Sequence, residues 1–233
     1  DTIKVRKKLD HAVLSHMKLA DYDVIRFSSV ISARSNSFLN LINNTFVIEG
    51  VRAFRFSDSQ SVYAFPHEQM VILKSKRRME FGGKVTAGKF DFYAKSFEFD
   101  YYNFEISSDK IDEMVIFTED LSGRKGLVAV KSTIRDINGT LEIDKSTNKS
   151  GLERFPEYPR FTSKKGAKIA YDKKTIHGGA YDKERFYFEV DPFTIDNMDN
   201  FTTAELSFPG TFVSAGIIPE FRYEAKIMDD YSL

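Results

Sequence analysis

The stretch GGKVTAGKFDFYAKSFEFD, residues 82–100, decides how this chain is read, because most of its pattern returns as GGAYDKERFYFEVDPFTID at residues 178–196. Both fit G-G-x-[VY]-x3-[KR]-F-x-F-x4-F-x-[FI]-D, with every matched position displaced by the same 96 residues. Phe90 and Phe92 form one alternating pair, and Phe97 and Phe99 form a second. A period of two belongs to strands and places alternate rings on one face. The gap between Phe92 and Phe97 calls for a corner or a short turn. A partial third copy follows, since FGGKVTAG at 81–88 aligns with FPGTFVSAG at 208–216 once one residue is inserted.

Short strands meeting at glycines, with Phe at recurring positions, suit a stacked β-coil in which layers lie ~4.8 Å apart, or a layered sandwich. Glycine serves where the backbone takes positive φ or approaches a neighbour closely. The fold class expected is therefore mainly all-β: a β-solenoid, or an elongated β-coil or sandwich, with internal repeats and a short N-terminal helix. That helix is expected around residues 9–17, where Leu9, Val13 and Met17 recur at four-residue spacing. Further strands are expected at 24–27, 46–48, 51–56, 114–117, 127–134 and 140–143, the last after an Asn138-Gly139 turn.

Residues 148–179 are rich in Lys, Gly and Pro, with FPEYPRF at their centre, and read as a loop-rich excursion. They divide the chain into a β-rich N-terminal part, residues 1–147, and a repeat-bearing part of the same architecture, residues 180–233.

Composition supports sheet and narrows function. Among 233 residues, 22 are Phe, outnumbering Leu. Lys plus Arg and Asp plus Glu stand at 34 each, so no global field draws the chain to nucleic acid. The absence of cysteine removes disulfides, thiolate nucleophiles and cysteine metal sites together. No apolar run reaches the roughly 18 residues a spanning helix needs, so no transmembrane segment is expected. The chain begins at Asp1 and is read as a mature or excised piece.

Several stretches carry a resemblance: FSDSQSVYAFP at 56–66, VTAGKFDFY at 85–93, FPEYP at 155–159, YDKERFYFEVDPF at 181–193 and GTFVSAG at 210–216. Together, across nearly the whole chain, they resemble a segment of an uncharacterised family of very large cell-envelope or secreted proteins of Bacteroidetes-type bacteria. The resemblance implies a cell-envelope (periplasmic or surface) or secreted location, with neighbouring regions of a longer polypeptide as partners. It brings no catalytic residues. The Gly-x-Phe-x-Phe strands are also similar to the β-coils of periplasmic lipid-bridge proteins, an analogy of fold alone.

Four histidines, His11, His16, His67 and His177, form no HxH or HExxH pattern, so no metal and no cofactor are expected. Carboxylates are plentiful. Asp100 and Asp196 close the two repeats, where aspartate commonly caps a turn. Asp109 and Asp112 are the candidates for paired-carboxylate glycoside cleavage, which needs two carboxyl groups roughly 5–9 Å apart. The basic run at 74–78, KSKRR, reads as a solvated strand edge. Aromatics that break the Phe alternation are candidates for sugar stacking: Tyr93, Tyr181, and above all Tyr101, Tyr102, Tyr158 and Tyr171. The function expected is a non-catalytic structural or binding module contacting glycan or lipid, with a β-scaffold carbohydrate-active enzyme as the alternative.

Overall fold

The computed structural model describes residues 2–5, 25–31, 35–57, 59–120, 124–172, 174 and 177–233. The expected N-terminal helix lies outside these residues. What is described is all-β, apart from one turn of 3-10 helix at His177–Gly179.

Strands β1 (Thr2–Val5) and β2 (Ile25–Ser28) pair with each other. The other sixteen strands among the described residues form one antiparallel sheet. They are β3 (Ser37–Asn40), β4 (Thr45–Glu49), β5 (Phe54–Arg55), β6 (Val62–Pro66), β7 (Met70–Lys74), β8 (Arg78–Ala87), β9 (Phe90–Asp100) and β10 (Glu105–Glu119). Then come β11 (Leu127–Ala129), β12 (Ile134–Glu142), β13 (Arg160–Ser163), β14 (Ala167–Ala170), β15 (Tyr187–Val190), β16 (Phe193–Ile195), β17 (Ser207–Val213) and β18 (Phe221–Lys226).

The hydrogen-bonded path runs β18-β17-β15-β14-β12-β10-β9-β8-β7-β4-β3 without closing. Four long strands, β8, β9, β10 and β12, form its centre, and the sheet forks on each side of them. On one side β7 pairs with residues 78–80 of β8, while β6 pairs with residues 83–87. On the other, β13 pairs with residues 140–142 of β12, and β14 with residues 134–135. Forking lets the sheet curl over its own apolar face. The rings of Phe92 on β9 and Phe161 on β13 meet at 4.7 Å, and Phe56 meets Phe99 at 4.9 Å.

These ladders correct the coil reading. A stack of β-coils is joined by parallel ladders, whereas every ladder among the described residues is antiparallel. The corner expected between Phe92 and Phe97 is also different: β9 runs straight through as one strand. Its register with β8 slips by one residue between the pairs Phe81↔Phe97 and Gly83↔Ala94, the signature of a β-bulge. Lys95 and Ser96 consequently both face solvent, while Phe90, Phe92, Ala94, Phe97 and Phe99 all stay buried. A bulge thus takes the place of the corner.

Two further expectations change. Asn138-Gly139 is no turn but lies inside β12, opposite Ser108. Glycine is needed there because a Cβ would lie 2.7 Å from Cε2 of the Phe161 ring. The expected excursion at 148–179 contains β13 and β14, both integral to the sheet. Its irregular part is tied down by Asn148, which is buried and donates to Asp144 Oδ2 at 3.0 Å and to the Glu153 carbonyl at 2.8 Å.

Candidate functional site

The core occupies one face of the long strands, which leaves their other face open as a binding surface. On that wet face, residues directly opposite each other form rows across the sheet. One row runs Phe65↔Lys84↔Tyr93↔Glu113, through β6, β8, β9 and β10. A second runs Ile72↔Glu80↔Glu98↔Ser107, through β7, β8, β9 and β10. Between them lie the β9 bulge, a matching register slip in β10 between Ser107 and Glu113, and the fork of β6 from β7.

The fork explains the glycine pair. At Gly82 the β7 ladder has ended and the β6 ladder has not begun, and the His67 amide donates to the Gly82 carbonyl at 2.8 Å. A Cβ on Gly82 would overlap the Lys95 carbonyl oxygen. One on Gly83, whose φ is +132°, would overlap the Phe65 carbonyl and lie 2.5 Å from the His67 nitrogen. Three strands can meet here only around a backbone without side chains.

The junction opens two adjoining clefts that share Glu80, Lys95 and Asp112. The larger, about 670 Å3, has Phe65, Met70, Ile72 and Tyr93 along its walls, with His67, Glu68 and Lys84 beside them. The smaller, about 480 Å3, is lined by Lys74, Glu98, Ser107, Asp109 and Lys110 among others. Asp109 and Asp112 therefore both line the smaller cleft.

Charge pairs fix much of this surface. Lys84 Nζ lies 3.1 Å from Asp91 Oδ2 and 4.6 Å from the centre of the Phe65 ring. Asp91 is buried, and it also accepts from Thr86 Oγ1 at 2.5 Å and from the Tyr93 hydroxyl at 3.4 Å. Burial, with the Asp91 charge second, raises the Tyr93 phenol above its ordinary range, so it remains protonated and able to donate. Lys74 bridges Glu80 and Glu98, which face each other as like charges, and Arg78 reaches Glu98 at 2.9 Å. The Lys74 hydrogen bond holds the Glu80 carboxyl below its usual range. The basic run at 74–78 is thus partly a cross-strand ion network rather than a freely solvated edge.

Of the tyrosines singled out from sequence, Tyr93 lines the larger cleft, whereas the four leading candidates lie elsewhere. Tyr101 is buried, with Arg77 and Lys149 set over its ring at 4.8 and 5.2 Å, and offers no open platform. Tyr102 is exposed in the β9–β10 turn, where Asp100 Oδ1 accepts the Tyr102 amide at 2.8 Å. That is the capping role expected of Asp100. Tyr158 is half-buried beside Arg160, and burial raises its phenol. Tyr171 packs with Phe186 and Phe212 against the core, and burial raises its phenol too.

None of those four lines the clefts. Phe65, Tyr93, Lys95 and Glu80 do, and the fork that gathers them has no sequence signal beyond the Gly-Gly pair. His67 stands in the expected turn, exposed at the rim of the larger cleft. Among the described residues no cluster of acidic and histidine side chains has the geometry of a metal site. No helix among them is long and apolar enough to cross a membrane. Comparison with protein-family models, curated proteins and solved structures gives no match.

Proposed function

We propose that this protein is a non-catalytic binding module of a larger bacterial envelope or surface polypeptide, and that the paired clefts on its wet face hold a glycan. The observation that carries this reading is the row Phe65–Lys84–Tyr93, which presents two partly exposed rings beside an open cleft carrying Glu80, Lys95 and Asp112. Sugar recognition uses this combination. Ring faces cover the C–H patches of a pyranose, and neighbouring charged groups bond its hydroxyls. Lipid fits less well, because Glu80, Lys84, Lys95 and Asp112 set charges among the apolar residues of the larger cleft. Neither cleft is enclosed, which suits a polymer lying across the sheet.

The enzymatic alternative keeps one supporting observation, that Asp109 and Asp112 share a cleft. A panel of neutral and acidic polysaccharides in affinity electrophoresis tests both readings. Retardation lost in Tyr93→Ala and Phe65→Ala, with no release of reducing ends, supports the binding module. Turnover abolished by Asp112→Asn would replace it with a hydrolase.

A further inference from the structure

The sheet ends at β18, whose only ladder among the described residues is with β17. An unpaired edge strand is a template for another strand, and proteins commonly blunt such edges with charge. Here the charges have an order. Residues 220–226 read Glu-Phe-Arg-Tyr-Glu-Ala-Lys, and all but Ala225 are exposed.

Consider a second copy of the same strand laid antiparallel on this edge, with Tyr223 opposite Tyr223. Arg222 then faces Glu224 twice, Glu220 faces Lys226 twice, and Phe221 faces Ala225 twice. Slipping the pairing by two residues in the register sum brings Arg222 against Lys226 with Glu224 against itself, or Arg222 against itself with Glu220 against Glu224. Odd sums put core-side residues opposite wet-side ones, which the pleat forbids. The charge order therefore repels the neighbouring registers and favours the one centred on Tyr223.

The apolar side points the same way. Phe221, Tyr223 and Ala225 lie opposite Phe212, Gly210 and Phe208, on the core side of the sheet. Ala225 and Phe208 are buried, but Tyr223 is 60% exposed and Phe221 46%. The core face thus runs out from under its cover at β18, with Ile217 and Ile218 exposed at the adjoining hairpin tip. We infer that β18 is a self-pairing edge through which two copies of this chain join their sheets about a two-fold axis at Tyr223.

Sedimentation velocity over a concentration series should show a reversible monomer–dimer equilibrium. Arg222→Glu or Glu224→Arg sets like charges opposite each other at both symmetric positions, and should weaken the dimer by about tenfold. The double exchange Arg222→Glu/Glu224→Arg should restore it. Arg222 also pairs with Asp191 within the chain, so melting curves of each variant check that the fold is retained. Because the chain has no cysteine, a single Tyr223→Cys substitution reports the register directly. It should form a disulfide-linked dimer on mild oxidation, whereas Phe221→Cys should not, since residues directly opposite across a ladder are within disulfide reach. A wild type that stays monomeric, a dimer indifferent to the charge reversals, or a Tyr223→Cys dimer that fails to cross-link would each overturn the inference.

Discussion

Gly83→Ala should be one of the most damaging single-methyl additions in this chain, and Gly178→Ala, in the second Gly-Gly copy, a mild one. At Gly83 the backbone takes φ +132°, a region L-residues rarely adopt, and forcing one there costs of order 1–3 kcal/mol. The new Cβ would also press on two backbone atoms, the Phe65 oxygen and the His67 nitrogen, neither of which can swing aside as a side chain could. Relief requires parting β6 from β8 at the fork, where the bond from the His67 amide to the Gly82 carbonyl is worth about 1 kcal/mol net. The sum is about 3 kcal/mol, a fall in melting temperature of roughly 6–12 °C for a domain of this size. Gly178 has φ +69° and, among the described residues, no atom within 4 Å of an added Cβ, so only the left-handed penalty of about 1–2 kcal/mol applies. Thermal midpoints, with denaturant midpoints compared at equal m-value, measure both. If Gly178→Ala proves as costly as Gly83→Ala, the close approach of strands at the fork is not what demands the glycine.

Phe92→Ala should cost ~3–5 kcal/mol, because the ring is buried against Phe161 and its loss leaves a cavity. His67→Ala, in an exposed turn, should change stability by less than about 0.5 kcal/mol in the same denaturant titration. Asp199 is held above its ordinary pKa by burial, against the opposing pull of Arg154 and Lys89, and among the described residues its Oδ1 has no hydrogen-bond partner. A raised folded-state pKa favours the protonated form, so that contribution is complete below the unfolded value of about 3.9 and is lost as pH rises through the folded one. Asp199→Asn should therefore raise the melting temperature at pH 7, with a gain that shrinks towards zero as pH falls below about 4. A gain independent of pH would show that the carboxylate charge is not the cause. Gly139→Ala should destabilise the wild type but cost less in a Phe161→Leu background, because the ring it would strike is gone. Additive effects in that double-mutant cycle would remove Phe161 as the reason for the glycine.

The core is legible because alternation survives wherever one sheet face is dry: Phe90, Phe92, Phe97 and Phe99 read as buried from their spacing, and they are. Local turn chemistry is legible too, as at Asp100. What the sequence does not show is how strands are joined. A bulge and a corner both appear as a break in parity, so KS at 95–96 offers no means of choosing between them. Asn-Gly is a strong hairpin signal on local grounds, yet in β12 the glycine answers to Phe161, 22 residues away, and no local rule carries that information. The site is the least legible part. Phe65, Glu80, Tyr93 and Asp112 come from four strands, and only the fork at Gly82-Gly83 brings them together.

The apparent copies follow the structure at different positions: in the longer one Phe188, Phe193 and Ile195 are buried on strands, as Phe92, Phe97 and Phe99 are. The longer match, at 178–196, places its glycines in a 3-10 turn rather than in a strand, and its closing Asp196 pairs with Arg160 at 2.5 Å instead of capping a turn as Asp100 does. The shorter match at 208–216 does better at the glycine. Phe208, like Phe81, is buried at the head of its motif, and Gly210, like Gly83, lies within a strand. A Cβ on Gly210 would overlap the Glu189 carbonyl and lie 2.7 Å from the Phe188 ring, so the neighbouring strand approaches it as β6 approaches Gly83. Both strands then run into a hairpin, β8 into β9 and β17 into β18. The likeness that holds at the glycine rests on fewer identical residues, because packing constrains the ring and the glycine while leaving the side chains between them free to differ.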